Sequence, residues 1–582
     1  MRRLKKICLF VVAECFKALF RLLMFALVVY TVGKIISIET KKKPVDAGTY
    51  IELTLSDEIA ESRVITPFDI KKEINFYGIL KNLEKAENDP RVEGLILKLD
   101  SVGLSRGQAE EFTAKIKEFK KSGKKIYAYA PSFTNQNYVI ASATDKIIMP
   151  KTMGAMSEIK GYFMEVPYYK TLGDKIGVKM NVIHIGDYKS AGESYDRTEM
   201  SREHRENTER ILNTVYENFV KTVSENRKIE KNVLNEKILD GRFVLADPET
   251  MLRNNLIDEM DYYESFLVKN GITNKISLEE YISKLAVDPK PKKDKSEKEK
   301  DKIAVIYAEG TINYFEDSKK INEIITPEKI QKELAIAEKS DDIKGVVIRV
   351  NSPGGSALAS DIIYNSIKNL TKPVYISMGG VAASGGYYIS AAGDKIYADK
   401  ETLTGSIGVI TMIPNVSEFL KKAEINYSVI SKGKYSDMGS LVRDLTEDEK
   451  DKIRASSLKV YEEFVDRVAE GRNMAREEVL KSAEGRVWLG EEAKKIGLVD
   501  EIGGIEKAVG DLALSLGLED YKVVESLKEE KIESVIKNYL PKYLMAQIIG
   551  DNKITEAVKK TDMISEELLL KPVLYAPNPD IK

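Results

Sequence analysis

Histidine and cysteine are almost missing from this 582-residue chain. Its two cysteines, Cys8 and Cys15, both lie in the N-terminal apolar region. Everything downstream is therefore free of disulfides and of cysteine metal sites, which fits any redox compartment and selects none. The two histidines are His184 and His204, and no H-E-x-x-H run occurs, which argues against zinc hydrolysis on histidine ligands. A Ser–His–Asp arrangement would have to draw on one of those two residues. Charge of one sign is missing as well. The 90 basic and 92 acidic residues leave a net charge of −2, so no excess of cations is available for nucleic acid phosphates. The composition is ordinary for a globular protein, at 43% hydrophobic and 31% charged, and the length calls for two to four domains.

The chain does contain a membrane signal. Arg2, Arg3, Lys5 and Lys6 open it, Leu22 to Gly33 is uncharged, and Ile35 to Ile38 extends the apolar run past Lys34. That span is at the short end of the ~17–25 residues needed to cross a bilayer, with Lys34 reaching the interface. Glu14, Lys17 and Arg21 make residues 8–20 read as a basic amphipathic helix on the inner surface. No A-x-A-like cleavage site follows, so residues 1–40 are expected to be an uncleaved anchor. Residues 288–302 are almost wholly charged with alternating signs, the pattern of a solvated linker.

The regions on either side of that linker resemble each other. Asp145-Lys146-Ile147 returns 249 residues later as Asp394-Lys395-Ile396, and at the same offset Tyr138 falls on Tyr387. Gly94 to Leu97 returns after 251 residues as Gly345 to Ile348, and Gly186-Asp187-Tyr188 after 247 as Gly433-Lys434-Tyr435. Three matches in order indicate an internal duplication. In each half short β-branched runs alternate with helical patterns, such as Gln108–Lys120 and Ser360–Asn369, which argues for parallel βαβ units in an α/β fold. Residues 202–236 and 446–482 read as packing or assembly helices.

The chemistry is concentrated in two glycine-rich loops of the second half. Asn351-Ser352-Pro353-Gly354-Gly355-Ser356 and Ala382-Ala383-Ser384-Gly385-Gly386-Tyr387-Tyr388 each follow a strand-like run. A strand, a glycine turn and a helix can present a hydroxyl while aiming free N–H groups at an oxyanion. Ser384 is the candidate nucleophile, and Gly354 and Gly385 are the candidate donors, with Gly355 able to replace Gly354. The first half has Asn135 where the second has Ser384. Conversely it has Lys189 where the second has Ser436. One half thus keeps a serine and the other a lysine. A neutral lysine amine can take the serine proton, provided burial lowers its pKa from the free value of ~10.4. Such a pair needs no histidine, and His184 and His204 read as ordinary polar positions. Tyr387 and Tyr388 read as packing beneath the turn.

These runs, with Thr404-Gly405-Ser406-Ile407-Gly408 and Tyr188-Lys189-Ser190, resemble the signal peptide peptidase A (protease IV) family in its long, tandem form. The likeness extends over most of residues 20–520. It implies two Clp/crotonase-like domains, at 45–287 and 303–520, with the linker between them, the anchor before them and a helical extension of uncertain role at 521–582. It implies Ser384 as nucleophile, Lys189 as general base and Ser406 as the residue that orients the lysine, with no metal and no cofactor. It further implies a homotetramer on the bacterial inner membrane. That protein would be single-pass, with catalytic domains on the extracytoplasmic side cleaving signal peptides and other hydrophobic peptides. Two other readings stand beside it: an acyl-CoA enzyme on a crotonase-like core, and a non-catalytic membrane scaffold. Whether the lysine and serine meet within one chain or across subunits is open at this stage.

Overall fold

The computed structural model describes residues 44–55, 59–62, 74–285, 300–315, 324–525 and 573–575. The expected anchor at 1–40 and nearly all of the charged linker lie outside the described residues. Among the described residues no helix is long and apolar enough to cross a membrane.

Each half contains a parallel sheet. In the first, the strands run in the order Lys275–Ser277, Thr49–Thr54, Val92–Lys98, Lys125–Tyr129, Lys146–Met149 and Glu259–Met260. In the second, Lys302–Glu309, Ile343–Ser352, Val374–Ala383 and Lys395–Ala398 are neighbours in that order. Ile343–Ser352 is buried along nearly its whole length, as expected of a central parallel strand covered on both faces. Helices Arg106–Lys121 and Ala357–Lys368 follow equivalent strands, and Ser105 and Ser356 accept N–H groups from their first turns.

The duplication extends to individual hydrogen bonds. Tyr138 donates its hydroxyl to the Leu256 carbonyl at 2.6 Å, and Tyr387 donates to that of Leu498 at 2.9 Å. The Asp145 carboxylate accepts from Ile126 N–H, and that of Asp394 from Val374 N–H. Tyr387 and Tyr388 are fully packed, as their place beneath a tight turn predicts.

The halves are not independent. Lys179–Ile185 of the first half pairs antiparallel with Val409–Asn415 of the second. Helix Ile505–Ser515 packs on the second half's sheet and on helix Phe76–Asn88 of the first. Arg349, wholly buried, bonds Glu61 and Glu111 across the same boundary. The helices expected in residues 202–236 and 446–482 are present as Arg202–Arg227 and Lys231–Leu239, and as Glu447–Arg472 and Arg476–Ser482. In the C-terminal segment expected to be helical, the two described pieces are strands, Lys522–Glu525 and Val573–Tyr575.

Candidate active site

Ser384 sits where strand Val374–Ala383 turns into helix Gly385–Ser390. Its φ of 55° lies in a region that side chains other than glycine rarely enter, so the turn is strained. Two backbone bonds hold it there. Ser384 N–H donates to the Gly405 carbonyl at 2.8 Å, and its own carbonyl accepts from Tyr388 N–H at 2.8 Å. The small residues on both sides are needed because the loops touch. A Cβ on Gly385 would lie 2.8 Å from Ser360 Oγ, and one on Gly386 would lie 2.4 Å from the Ser352 carbonyl oxygen.

Lys189 reaches this serine from the other half of the same chain. Its loop follows strand Lys179–Ile185, so the strand pairing between halves delivers it. A turn at Glu484–Arg486 supports the loop from behind: Tyr188 N–H donates to the Glu484 carbonyl at 2.8 Å, and Arg486 stacks on the Tyr188 ring at 3.8 Å. Lys189 Nζ lies 2.7 Å from Ser384 Oγ, 2.9 Å from the Ser406 carbonyl oxygen and 3.0 Å from Ser406 Oγ. Three neutral oxygens therefore surround the nitrogen, so that a neutral amine can donate to the two Ser406 oxygens and accept from the Ser384 hydroxyl. All three side chains are buried, at 2% exposure for Lys189 and 0% for both serines. Burial alone drives the Lys189 pKa well below its ordinary value, with no carboxylate acting against it. Ser406 is strained too, with φ of 52°, and its N–H is tied to the Arg486 carbonyl.

The two candidate oxyanion glycines are neighbours, as a Cβ on Gly385 would come within 3.1 Å of Gly354 Cα. They differ in availability. Gly385 opens its helix, so its N–H has no partner within that helix. The Gly354 N–H already donates to Ser352 Oγ at 3.1 Å, which the sequence did not indicate. Neither histidine approaches the serine. His184 bonds the Gly186 carbonyl and His204 bonds Glu193. Asn135, at the position matching Ser384, uses its amide to bond both the N–H and the carbonyl of Lys160. Among the described residues no group of histidine, cysteine, aspartate or glutamate is placed to hold a metal ion.

The Glu484–Arg486 turn and the Arg349 cluster were missed from the sequence. Gly485 carried a faint signal as a glycine between charged residues. Arg349 carried another as a charge inside an apolar run.

Comparison with known proteins agrees with this architecture. The model of peptidase family S49 matches residues 118–276 and 366–519, one segment in each half, and a Clp protease model matches residues 294–402. "Protease 4" of Haemophilus influenzae is 33% identical over 458 residues, covering 76% of this chain and 73% of that protein. "Serine protease SPPA, chloroplastic" of Arabidopsis thaliana is 31% identical over 475 residues, covering 79% and 68%. "Putative signal peptide peptidase SppA" of Enterococcus faecium is 41% identical over 200 residues, covering 34% and 56%. With both halves matched and the Haemophilus and Arabidopsis likenesses running across most of its length, the chain belongs to peptidase family S49.

Proposed function

We propose that this S49 serine peptidase hydrolyses signal peptides and other short hydrophobic peptides with a Ser384–Lys189 dyad. The carrying observation is a buried lysine amine without a carboxylate partner, 2.7 Å from a serine hydroxyl on a strained turn. Burial favours the neutral amine. The neutral amine takes the Ser384 proton as Oγ bonds to the substrate carbonyl carbon. Negative charge then develops on the carbonyl oxygen, toward the Gly385 N–H. The Gly354 N–H joins only on leaving Ser352 Oγ. The Lys189 ammonium gives its proton to the departing amine, the peptide C–N bond breaks, and an acyl-enzyme remains. Water attacks the acyl-enzyme, again losing its proton to Lys189, which returns that proton to Ser384 as the acid product leaves. Ser406 holds the ammonium through both of its oxygens.

An acyl-CoA reaction of the carboxylate-driven kind is disfavoured, because among the described residues no carboxylate bonds either Ser384 or Lys189. The name of the Enterococcus relative, "Putative signal peptide peptidase SppA", supports signal peptides as substrates. The apolar run Leu22–Ile38 supports a single-pass anchor in the bacterial inner membrane, with the domains at 45–287 and 303–520 on the extracytoplasmic side.

The duplication also supports assembly. Val429-Ile430 are the counterparts of Val182-Ile183, which lie in a paired strand. In the second half Ile425, Tyr427, Val429 and Ile430 are exposed, Ile430 completely. The counterpart of their missing partner strand is Lys160–Val166 of the first half. Pairing of these two segments between copies gives a head-to-tail ring, which we assign to the homotetramer.

The deciding assay is cleavage of a hydrophobic peptide amide by the full chain and by Ser384→Ala and Lys189→Met. Undiminished turnover in either variant rejects the dyad.

A further inference from the structure

A large cavity lies at the first half's counterpart of the catalytic turn. It encloses about 830 Å³, a size suited to a small ligand or a short stretch of peptide. Three pieces of its wall are duplicates of the site. At the repeat offset of 251 residues, Leu104 and Ser105 fall on Gly355 and Ser356. At the offset of 249, Asn135 falls on Ser384 and Lys160 on Val409. The local fold repeats as well. Ser132–Thr134 pairs parallel with Met156–Glu158, which pairs antiparallel with Val244–Ala246. Around Ser384, Val381–Ala383, Leu403–Gly405 and Val487–Leu489 pair in the same way. Ser384, Lys189 and Ser406 are not among the residues that line the cavity.

Both reacting groups are missing from this duplicate, since Asn135 is no nucleophile and the counterpart of Lys189 is Ser436. The Asn135 amide instead bonds the N–H and the carbonyl of Lys160, as a neighbouring strand would. Beyond Lys160 the main chain is open. Among the described residues Gly161, Tyr162 and Phe163 make no backbone-to-backbone hydrogen bond. Two buried side-chain donors in the lining, Arg106 Nε and Asn218 Nδ2, also have no hydrogen-bond partner. The Glu401 carboxylate stands 3.8 Å from Arg106 Nε, too far to serve as one. Buried donors of this kind call for acceptors from a ligand or water. Val139, Tyr162, Phe219 and Leu403 add apolar surface. Five basic and five acidic residues line the cavity, so it has no excess of cations to hold a phosphate or a nucleotide.

We propose that this cavity is a second peptide site, which binds an extended hydrophobic segment and does not cleave it. This rests on the peptide reading given above and goes beyond it, because it needs neither Ser384 nor Lys189. The segment pairs its main chain with the open backbone at Gly161–Phe163, and its carbonyls accept from Arg106 and Asn218. Its apolar side chains rest on Tyr162, Phe219 and Leu403. In the duplicate, Val409–Asn415 meets Lys179–Ile185 on its other edge, so the ring pairing leaves the cavity edge of Lys160–Val166 free. Gly380 and Val381, on the far wall, belong to the strand that runs into Ser384. A held segment therefore lies alongside the strand that carries the nucleophile.

The test is photocrosslinking in the full chain after Ser384 has been capped with a phosphonate. The probe is a Leu- and Ala-rich peptide amide carrying benzoylphenylalanine, and mass spectrometry locates the attached residues. Crosslinks are expected within residues 104–117, 160–163 or 218–225, saturating at one peptide per chain. Ala114 lines the cavity at an exposed position, so Ala114→Trp fills the space without disturbing the core. It should weaken the crosslinking about tenfold. Asn218→Leu removes one unpartnered donor, should weaken it several-fold, and serves where the tryptophan variant does not fold. Crosslinks confined to the second half overturn the proposal, as does first-half labelling that both variants leave unchanged. Suppression of the crosslinks by a fatty acid but not by unlabelled peptide makes the occupant a lipid chain and also overturns it. If the phosphonate does not attach to Ser384, the nucleophile reading fails instead, and the same crosslinks on first-half residues still uphold the second site.

Discussion

Lys189 Nζ and Ser384 Oγ lie 2.7 Å apart although 195 residues separate them in the chain. Each is held by its own half, and strand Lys179–Ile185 crosses over to deliver the lysine. If the two act as one unit, their effects do not add. Ser384→Ala, Lys189→Met and the double variant should each lower kcat by a similar factor, ~10³ or more. Steady-state turnover of a peptide amide checks this. A double variant far slower than either single would show that the two residues act separately.

The buried amine also sets a pH dependence. With Lys189 as the proposed base, kcat/KM should rise with pH through the lowered lysine pKa and then level off. Stability follows the same group. Its pKa is lower in the folded chain than in the unfolded one, so between those two values the unfolded chain binds more protons. Stability therefore rises with pH across that window, and below it the penalty of burying the amine is fully felt. Lys189→Met, of similar length and apolar, should raise Tm near neutral pH, with the gain shrinking toward pH 10. A Tm series from pH 6 to pH 10 on both proteins decides it. A gain that stays constant with pH would mean that packing, not titration, is responsible.

Ser406 and Gly485 both lie against Lys189. Ser406→Ala removes one of the two Ser406 oxygens and keeps the carbonyl. It should lower kcat about tenfold and move the acid limb of the pH profile down, because the ammonium loses an acceptor. Gly485→Ala should be more damaging. Gly485 has φ of +77°, and a Cβ there would sit 2.6 Å from Lys189 Cβ and from its backbone nitrogen. The loop must then move, and a shift of about 1 Å at a reacting group costs ~10²-fold. Normal pH limbs and normal kcat in Gly485→Ala would show that the turn does not hold the lysine.

Much of this site could be read before any coordinates, because the duplication acts as an internal comparison. Asn135 against Ser384 and Lys189 against Ser436 show which half kept which group, and the glycine spacing identifies the turn. Backbone strain escaped the sequence, since nothing about Ser406 as a letter reveals a φ of 52°. The engaged N–H of Gly354 was also hidden, as its acceptor is a hydroxyl two residues away whose rotamer depends on the fold. The strand at Val573–Tyr575 was least visible. Three residues beyond the last recognisable pattern carry no periodicity, and their pairing with Gly354–Ser356 and Ile410 depends on the folded chain around them.

Arg349 should be a point of fragility between the halves. It is wholly buried and bonds Glu61, Glu111, Ser377 Oγ and the Met378 carbonyl. Burial raises the pKa of Glu61 to about 7 despite the guanidinium beside it. Arg349→Met strands Glu61 and Glu111 without a cation and should cost about 3–5 kcal/mol. Glu61→Gln with Glu111→Gln in the same chain should recover much of it, because the buried carboxylates are then gone. Denaturant unfolding of the three proteins measures this. Equal stability of Arg349→Met and its triple variant would show that the carboxylates take up protons freely and carry no penalty.

Ile430 offers a test of the ring. It is fully exposed, and its counterpart Ile183 is buried in the strand pairing of the first half. Exposed apolar side chains at Ile425, Tyr427, Val429 and Ile430 are an aggregation liability unless another copy covers them. A charge at Ile430 should therefore break assembly while leaving the dyad intact, since Lys189 and Ser384 meet within one chain. Light scattering on the detergent-solubilised protein should show a tetramer for the unaltered chain and a smaller species for Ile430→Glu. Phosphonate labelling of Ser384 should continue in that smaller species. An unchanged mass would exclude this segment from the interface, and lost labelling would show that the site needs its neighbour after all.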